Sequence, residues 1–169
     1  MAKNQADEIF FNRQSVTDSR VTLKDEQLAV VGSDVVVAFG PRRSIYIFSP
    51  EDWQIYRRSI EQAASENLHE FERQMVIRQL LQTAVRTSVD SQKRLRIPQP
   101  HLSRAGLVAT EHPEVDVLYM PSSDGYERLE MWPADGLSEP EQHDEPYNEA
   151  YSLLIRAARG ETGVGPDVA

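Results

Sequence analysis

The chain has no cysteine among its 169 residues, which removes disulfides, thiolate metal centres and cysteine nucleophiles at once. It has no apolar run near the roughly 18 residues that a membrane-spanning helix needs. The polar stretch 1–8 has no hydrophobic segment behind it of the kind a secretory signal carries. The expectation is a soluble, cytoplasmic protein with no membrane partner. Positive charge is scarce too: 18 Lys and Arg against 27 Asp and Glu leave a net charge of −9. That balance counts against nucleic acid, whose binding is driven largely by cations on phosphate. The deficit is uneven, however. Residues 1–135 hold 16 basic and 20 acidic side chains, a balance of −4, whereas the last 34 residues hold 2 and 7, a balance of −5. The body of the chain can therefore still present a basic face.

Motifs for catalysis are also missing. There is no Gly-x-x-x-x-Gly-Lys phosphate loop and no Gly-x-Ser-x-Gly elbow. His69-Glu70-Phe71-Glu72-Arg73 begins like a zinc-protease helix but has Arg73 where the second histidine must stand. His101, His112 and His143 are scattered, and each is expected at the surface. No catalytic residue, metal site, cofactor or small-molecule substrate is expected.

What is present is an internal repeat, over 15–53 and again over 88–132. Each copy opens with Ser-Val (Ser15-Val16, Ser88-Val89). Each continues with an arginine leading an apolar/polar/apolar triplet, Arg20-Val21-Thr22-Leu23 and Arg94-Leu95-Arg96-Ile97, and has a leucine eight residues after that arginine, Leu28 and Leu102. Two strand-like segments follow in both: Val35-Val36-Val37-Ala38-Phe39 then Ser44-Ile45-Tyr46-Ile47-Phe48, and Val115-Asp116-Val117-Leu118-Tyr119 then Arg128-Leu129-Glu130-Met131-Trp132. Gly40-Pro41 and Pro121-Ser122-Ser123-Asp124-Gly125 mark the intervening turns. The offset between copies grows from 73 to 84, which loops absorb cheaply.

The resulting division is a flexible lead-in (1–11), a first half-repeat (12–53), a helical insert (54–87), a second half-repeat (88–132), an acidic linker (133–146), a C-terminal helix (147–159) and a disordered tail (160–169). Ser49-Pro50-Glu51-Asp52 reads as a helix start, with a Ser cap, Pro in the first turn and acids near the positive end of the dipole. Trp53, Tyr56 and Ile60 recur at helical spacing. A break at Ser65-Glu66-Asn67 precedes a second helix expected to bury Leu68, Phe71, Met75, Leu80 and Ala84 on one side. Tyr147, Ala150, Tyr151, Leu154 and Ile155 share one face of the C-terminal helix.

The segment Val89-Asp90-Ser91-Gln92-Lys93-Arg94-Leu95-Arg96-Ile97-Pro98 is similar to the Asp-x-x-x-Arg motif, short strand and proline of the MraZ family. Phe48-Ser49-Pro50-Glu51-Asp52-Trp53 and Glu130-Met131-Trp132 add to the likeness, which covers roughly residues 12–132. The resemblance implies an α+β fold: two AbrB-like β half-repeats forming one pseudo-symmetric swapped-hairpin or β-barrel domain, with helices between and after them. It also implies a ring-like homo-oligomer and a transcriptional regulator, nucleoid-associated, that binds repeated boxes in double-stranded DNA upstream of a division and cell-wall gene cluster.

On the residues themselves, Lys93, Arg94 and Arg96 place three cations within four positions. In an extended strand Arg94 and Arg96 share a face, while Leu95 and Ile97 point to the core. These three and Arg20 are the candidate DNA contacts, with Asp90 orienting Arg94. Copy one departs from the motif: Val16 stands four residues before Arg20, Asp18 two before it, and Lys24 replaces the counterpart of Pro98. Arg42 and Arg43 at a hairpin tip are the usual solvated charge. A reading of another class is a protein-interaction or assembly module on the same scaffold without DNA binding, which the acidity would suit.

Overall fold

The computed structural model of the protein describes residues 11–108, 111–121, 125–134 and 145–158. Most of the expected lead-in (1–11), acidic linker (133–146) and tail (160–169) lies outside them, as do Ser122, Ser123, Asp124 and His143. The element order is β1 (Phe11–Thr17), β2 (Arg20–Thr22), α1 (Asp25–Val31), β3 (Asp34–Phe39), β4 (Ile45–Phe48), α2 (Pro50–Asn67) and α3 (Glu70–Val76), which runs on into a π-helical turn (Ile77–Leu81). Then come β5 (Val85–Ser88), β6 (Arg94–Arg96), α4 (Gln99–Arg104), β7 (Glu114–Pro121), β8 (Glu127–Pro133) and α5 (Glu145–Ala158).

All eight strands belong to one antiparallel sheet in the order β5-β3-β4-β8-β7-β1-β2-β6. A bridge between Val89 and Leu95 brings the two ends together, so the sheet is a nearly closed barrel. The halves exchange strands: β1 of the first pairs with β7 of the second, and β5 of the second pairs with β3 of the first. The register obeys the repeat. Val21 faces Leu95, with Arg20 opposite Arg96 and Thr22 opposite Arg94. Tyr46 faces Glu130, with Ile45 opposite Met131 and Ile47 opposite Leu129. Val21 and Leu95 are repeat equivalents, as are Tyr46 and Glu130. A local twofold axis therefore passes through the β2–β6 pair on one wall of the barrel and the β4–β8 pair on the opposite wall.

Two hydrophobic clusters flank the sheet. The inner one joins Val21, Leu23, Ile45, Ile47, Leu95, Ile97, Val117, Leu129 and Met131 with side chains of α1 and α4. The outer one packs Val36, Ala38, Tyr46 and Phe48 under Trp53, Tyr56, Ile60 and Ala64 of α2, with Val76, Leu80, Ala150, Leu153 and Leu154 beside them. This explains the sequence pattern. β4 is buried on both faces and reads as an unbroken apolar run, whereas β2 and β6 have one wet face and alternate. A core side chain of this kind stabilises by about 1.5–3 kcal/mol on full burial.

α2 begins as its sequence demands: Ser49 Oγ accepts a hydrogen bond from the Asp52 amide at 3.1 Å, and Pro50 occupies the first turn. Several boundaries differ from expectation. α2 runs unbroken to Asn67, so the break falls at Leu68 and His69, not at Ser65-Glu66-Asn67. The second half's first strand begins at Val85, three residues before 88, because pairing with β3 recruits residues that carry no strand pattern of their own. Phe71 is not in the core; it is 79% exposed, near the start of α3. The π-helical turn inserts an extra residue per turn and shifts the buried stripe to Val76, Leu80 and Leu81. The helices α1 and α4, inside the halves, were not foreseen. At seven and six residues they are too short for a periodic signal and owe their stability to packing. His101 corrects another expectation: it is 2% exposed on α4, not at the surface. The packing that buries its hydrophobic neighbours also strips its ring of water.

Candidate nucleic-acid interface

The β2–β6 pair forms a short two-stranded ribbon. Val21 and Leu95, both fully buried, pin it to the inner core. Alternation then turns Arg20, Thr22, Arg94 and Arg96 to the opposite, outward face. The strand register places Arg20 directly across from Arg96. Like charges directly opposite on antiparallel strands are destabilising, so the fold tolerates a local cost here. Arg20 and Arg94 also line a recess of about 310 Å³ with Gln14, Ser15, Thr17, Thr22 and the carboxylate-bearing Asp18.

The two hairpins that lead into the ribbon differ. In the first half β1 and β2 join through Asp18 and Ser19, both with positive φ (52° and 63°), as two-residue hairpin loops require. In the second half the turn is one residue longer. The Lys93 amide donates to the Asp90 carbonyl at 3.0 Å, and Lys93 itself takes φ 64°. Asp90 organises that turn with its side chain: Oδ1 accepts from the Gln92 and Arg94 amides, each at 2.9 Å, and Oδ2 accepts from Arg94 Nε at 2.8 Å. The Arg94 amide foremost, joined by its guanidinium, holds the Asp90 carboxyl below the usual carboxylate range. The clamp engages Nε and leaves the terminal nitrogens of Arg94 without a partner among the described residues.

The expected cations thus sit in unequal settings. Arg94 is oriented by Asp90. Lys93 does not join the outward face; its Nζ bonds Asp25 Oδ1 of α1 at 2.5 Å, so its charge is matched by a carboxylate from the other half. Arg20 and Arg96 make no ion pair or side-chain hydrogen bond among the described residues. Arg20, Arg94 and Arg96 are brought together, and Lys93 stands apart from them. Thr22, Gln14 and Asp25 were not singled out from sequence. Thr22 was findable, since it is the repeat counterpart of Arg96. Asp25 lies 68 residues from Lys93 and left no local signal.

Elsewhere, Arg42 and Arg43 occupy the β3–β4 turn with φ of 52° and 66°, with Arg42 exposed and Arg43 half-buried. Among the described residues no group of three or more His, Asp or Glu side chains is placed to hold a metal, and no helix is long and apolar enough to cross a membrane. Three arginines on one wet ribbon, one of them held by a carboxylate, can grip a polyanion through charge-assisted hydrogen bonds. No protein-family model matches the chain, and no curated protein shows similarity to it.

Proposed function

We propose that the protein binds double-stranded DNA through the outward face of the β2–β6 ribbon, as a transcriptional regulator of the kind the MraZ resemblance implies. The observation that carries this reading is the opposition of Arg20 and Arg96 across the ribbon, beside an Arg94 held by Asp90. A phosphate backbone would relieve the like-charge opposition and accept from all three guanidinium groups. The exchange of first strands between the halves is the connectivity that the AbrB-like swapped hairpin would require. Ser15 and Thr17 add neutral hydrogen-bonding groups at the recess. Regulation of a division and cell-wall gene cluster, and nucleoid association, rest on the resemblance alone.

The same reading carries a ring-like homo-oligomer. Free strand edges do not argue for it, since the barrel nearly closes on itself. Phe71 on α3, at 79% exposure, is an apolar side chain that such an assembly would cover. A monomer by light scattering at micromolar concentration would end that part of the reading.

The test is fluorescence anisotropy with a duplex from upstream of the protein's own gene, titrated across salt. If three arginines neutralise three phosphates, log K should fall with log salt at a slope near −2.7, from roughly 0.9 per phosphate. Arg20→Ala with Arg96→Ala should remove about two thirds of that slope. No binding at low salt, or an unchanged slope in the double variant, sinks the proposal. The alternative, an assembly module without DNA binding, is favoured by the −9 charge and by the Asp25–Lys93 pair. It predicts oligomerisation with no salt-dependent DNA signal.

A further inference from the structure

On the barrel wall opposite the arginine ribbon, a cavity of about 220 Å³ opens between the sheet and the helices α2 and α5. Tyr46, Tyr56, Tyr126, Tyr151 and Arg128 line it, with Ile60 among its apolar walls. The hydroxyls of Tyr46, Tyr56 and Tyr126 have no hydrogen-bond partner among the described residues, and none is fully sealed from solvent. Buried phenols normally find a partner. Three that share one cavity without one are a binding surface in waiting.

Every polar side chain of the lining can donate a hydrogen bond. Arg128 lies with its guanidinium carbon 4.5 Å from the centre of the Tyr46 ring. It bonds Glu130 Oε2 through Nε at 2.8 Å and Nη2 at 2.7 Å, and Trp132 Nε1 donates to Glu130 Oε1 at 3.0 Å. Both carboxylate oxygens are therefore engaged, while Nη1 of Arg128 has no acceptor among the described residues. Burial, foremost, pushes the Tyr46 and Tyr56 phenols well above their ordinary range, so they stay protonated and able to donate. The walls are aromatic rings and the aliphatic side chains of Ile60, Ala63 and Leu154. The volume is below the roughly 300–1,000 Å³ of sites for drug-sized molecules, which excludes a nucleotide.

We propose that this cavity is a site for a small carboxylate with a flat apolar body, of the benzoate class. Its carboxylate takes the Tyr46, Tyr56 and Tyr126 hydroxyls and Nη1 of Arg128, and its ring lies against Ile60, Ala63 and Leu154. Carboxylates accept several hydrogen bonds at once, and a charged acceptor strengthens each. The apolar body follows from the walls. The site is independent of the arginine ribbon, which lies across the barrel.

The experiment is titration calorimetry of the full chain with benzoate, acetate and benzyl alcohol. Trp53 fluorescence is a second readout, because its ring centre is 5.7 Å from that of Tyr56. Benzoate should bind saturably. Acetate, which lacks the ring, and benzyl alcohol, which lacks the carboxylate, should each bind at least about tenfold more weakly. Tyr56→Phe with Tyr126→Phe removes two hydroxyls and keeps both rings; it should weaken benzoate at least about tenfold while circular dichroism stays unchanged. If that pair disturbs the fold, Tyr126→Phe alone carries the test and should weaken benzoate severalfold. Absence of saturable benzoate binding up to about 10 mM overturns the proposal. So does equal binding of benzyl alcohol, and so does unchanged benzoate affinity in the folded tyrosine variants.

Discussion

The two halves of the barrel share a topology and a register, yet differ in how each treats its polar residues. In the first half Gln27 of α1 is fully buried and satisfied: its Oε1 accepts from the Lys24 amide at 2.8 Å and its Nε2 donates to Gln14 Oε1 at 2.6 Å. The repeat equivalent in the second half is His101. It is just as buried, but both ring nitrogens lack a hydrogen bond. The Thr83 and Val37 backbones lie near the ring without completing one, and the Phe39 ring meets it edge-on with centroids 4.7 Å apart. At the ribbon the inequality reverses. The second half holds Arg94 with Asp90, and the first leaves Arg20 without a partner among the described residues. The backbone symmetry is thus kept by the apolar pairs on the axis, which frees polar positions to diverge.

The largest expected effect is at that axis. Leu95→Ala should cost about 2–5 kcal/mol, and Val21→Ala less, because truncating valine removes fewer carbon atoms and leaves a smaller cavity. Denaturant melts of both variants measure this. Equal costs would mean that the site around Val21 relaxes less on truncation than the site around Leu95.

A second difference between the halves emerges with pH. Burial, with the Arg104 charge adding to it, lowers the His101 pKa from 6.5 to about 4. The unfolded chain therefore binds a proton between those values that the folded protein refuses. Stability from this residue is complete above pH 6.5 and is lost as pH falls towards 4, by up to about 3 kcal/mol. His101→Gln, which copies the first half, should flatten that loss in melts taken at pH 7 and pH 4.5. An unchanged pH profile would place the acid sensitivity elsewhere.

A smaller difference concerns two arginines at equivalent places on β1 and β5. Arg13 bonds Asp116, whose side chain is 7% exposed, at 2.9 Å. Arg86 bonds Asp34, and both of those side chains are more than half exposed. Arg13→Ala strands a buried carboxylate and should cost about 1–3 kcal/mol. Arg86→Ala should cost no more than about 1 kcal/mol. Equal costs in thermal melts would show that the Asp116 carboxylate is hydrated once Arg13 is gone.

The smallest effects are expected in DNA binding. Arg94→Ala should weaken it by about tenfold and Arg20→Ala by less, since a side chain not held in place must be ordered on binding. Lys93→Ala should do least, because Asp25 already matches its charge. Every arginine–phosphate pair removed should lower the salt slope by roughly 0.9. An Arg20 effect as large as that of Arg94 would make the ribbon symmetric in use as well as in backbone.

Local patterns in the chain carried much of this organisation. The repeat, the strand alternation of β2 and β6, the capped start of α2 and the apolar face of α5 each depend on residues a few positions apart. So does the Asp90–Arg94 clamp, whose partners are four residues apart in one turn. Short-range geometry and the period of burial leave their mark directly in such stretches. Other features had no such mark. α1 and α4 are too short to announce themselves, and the π-helical turn after α3 breaks the period that placed Phe71 on the buried side. The same holds for His101 in the core and Asp25 against Lys93.

What the sequence determined by itself was the existence of two matching halves and the face on which each short strand carries its arginine. What only the tertiary structure decided was that these strands lie antiparallel about Val21 and Leu95, with Arg20 across from Arg96. It likewise gathered four tyrosines from β4, α2, α5 and the approach to β8 around one cavity. The reason is that side-chain periodicity tells which way a residue points along its own strand. Which distant strand it meets is set by closure of the barrel, where burying both apolar faces leaves one register that keeps the core inside.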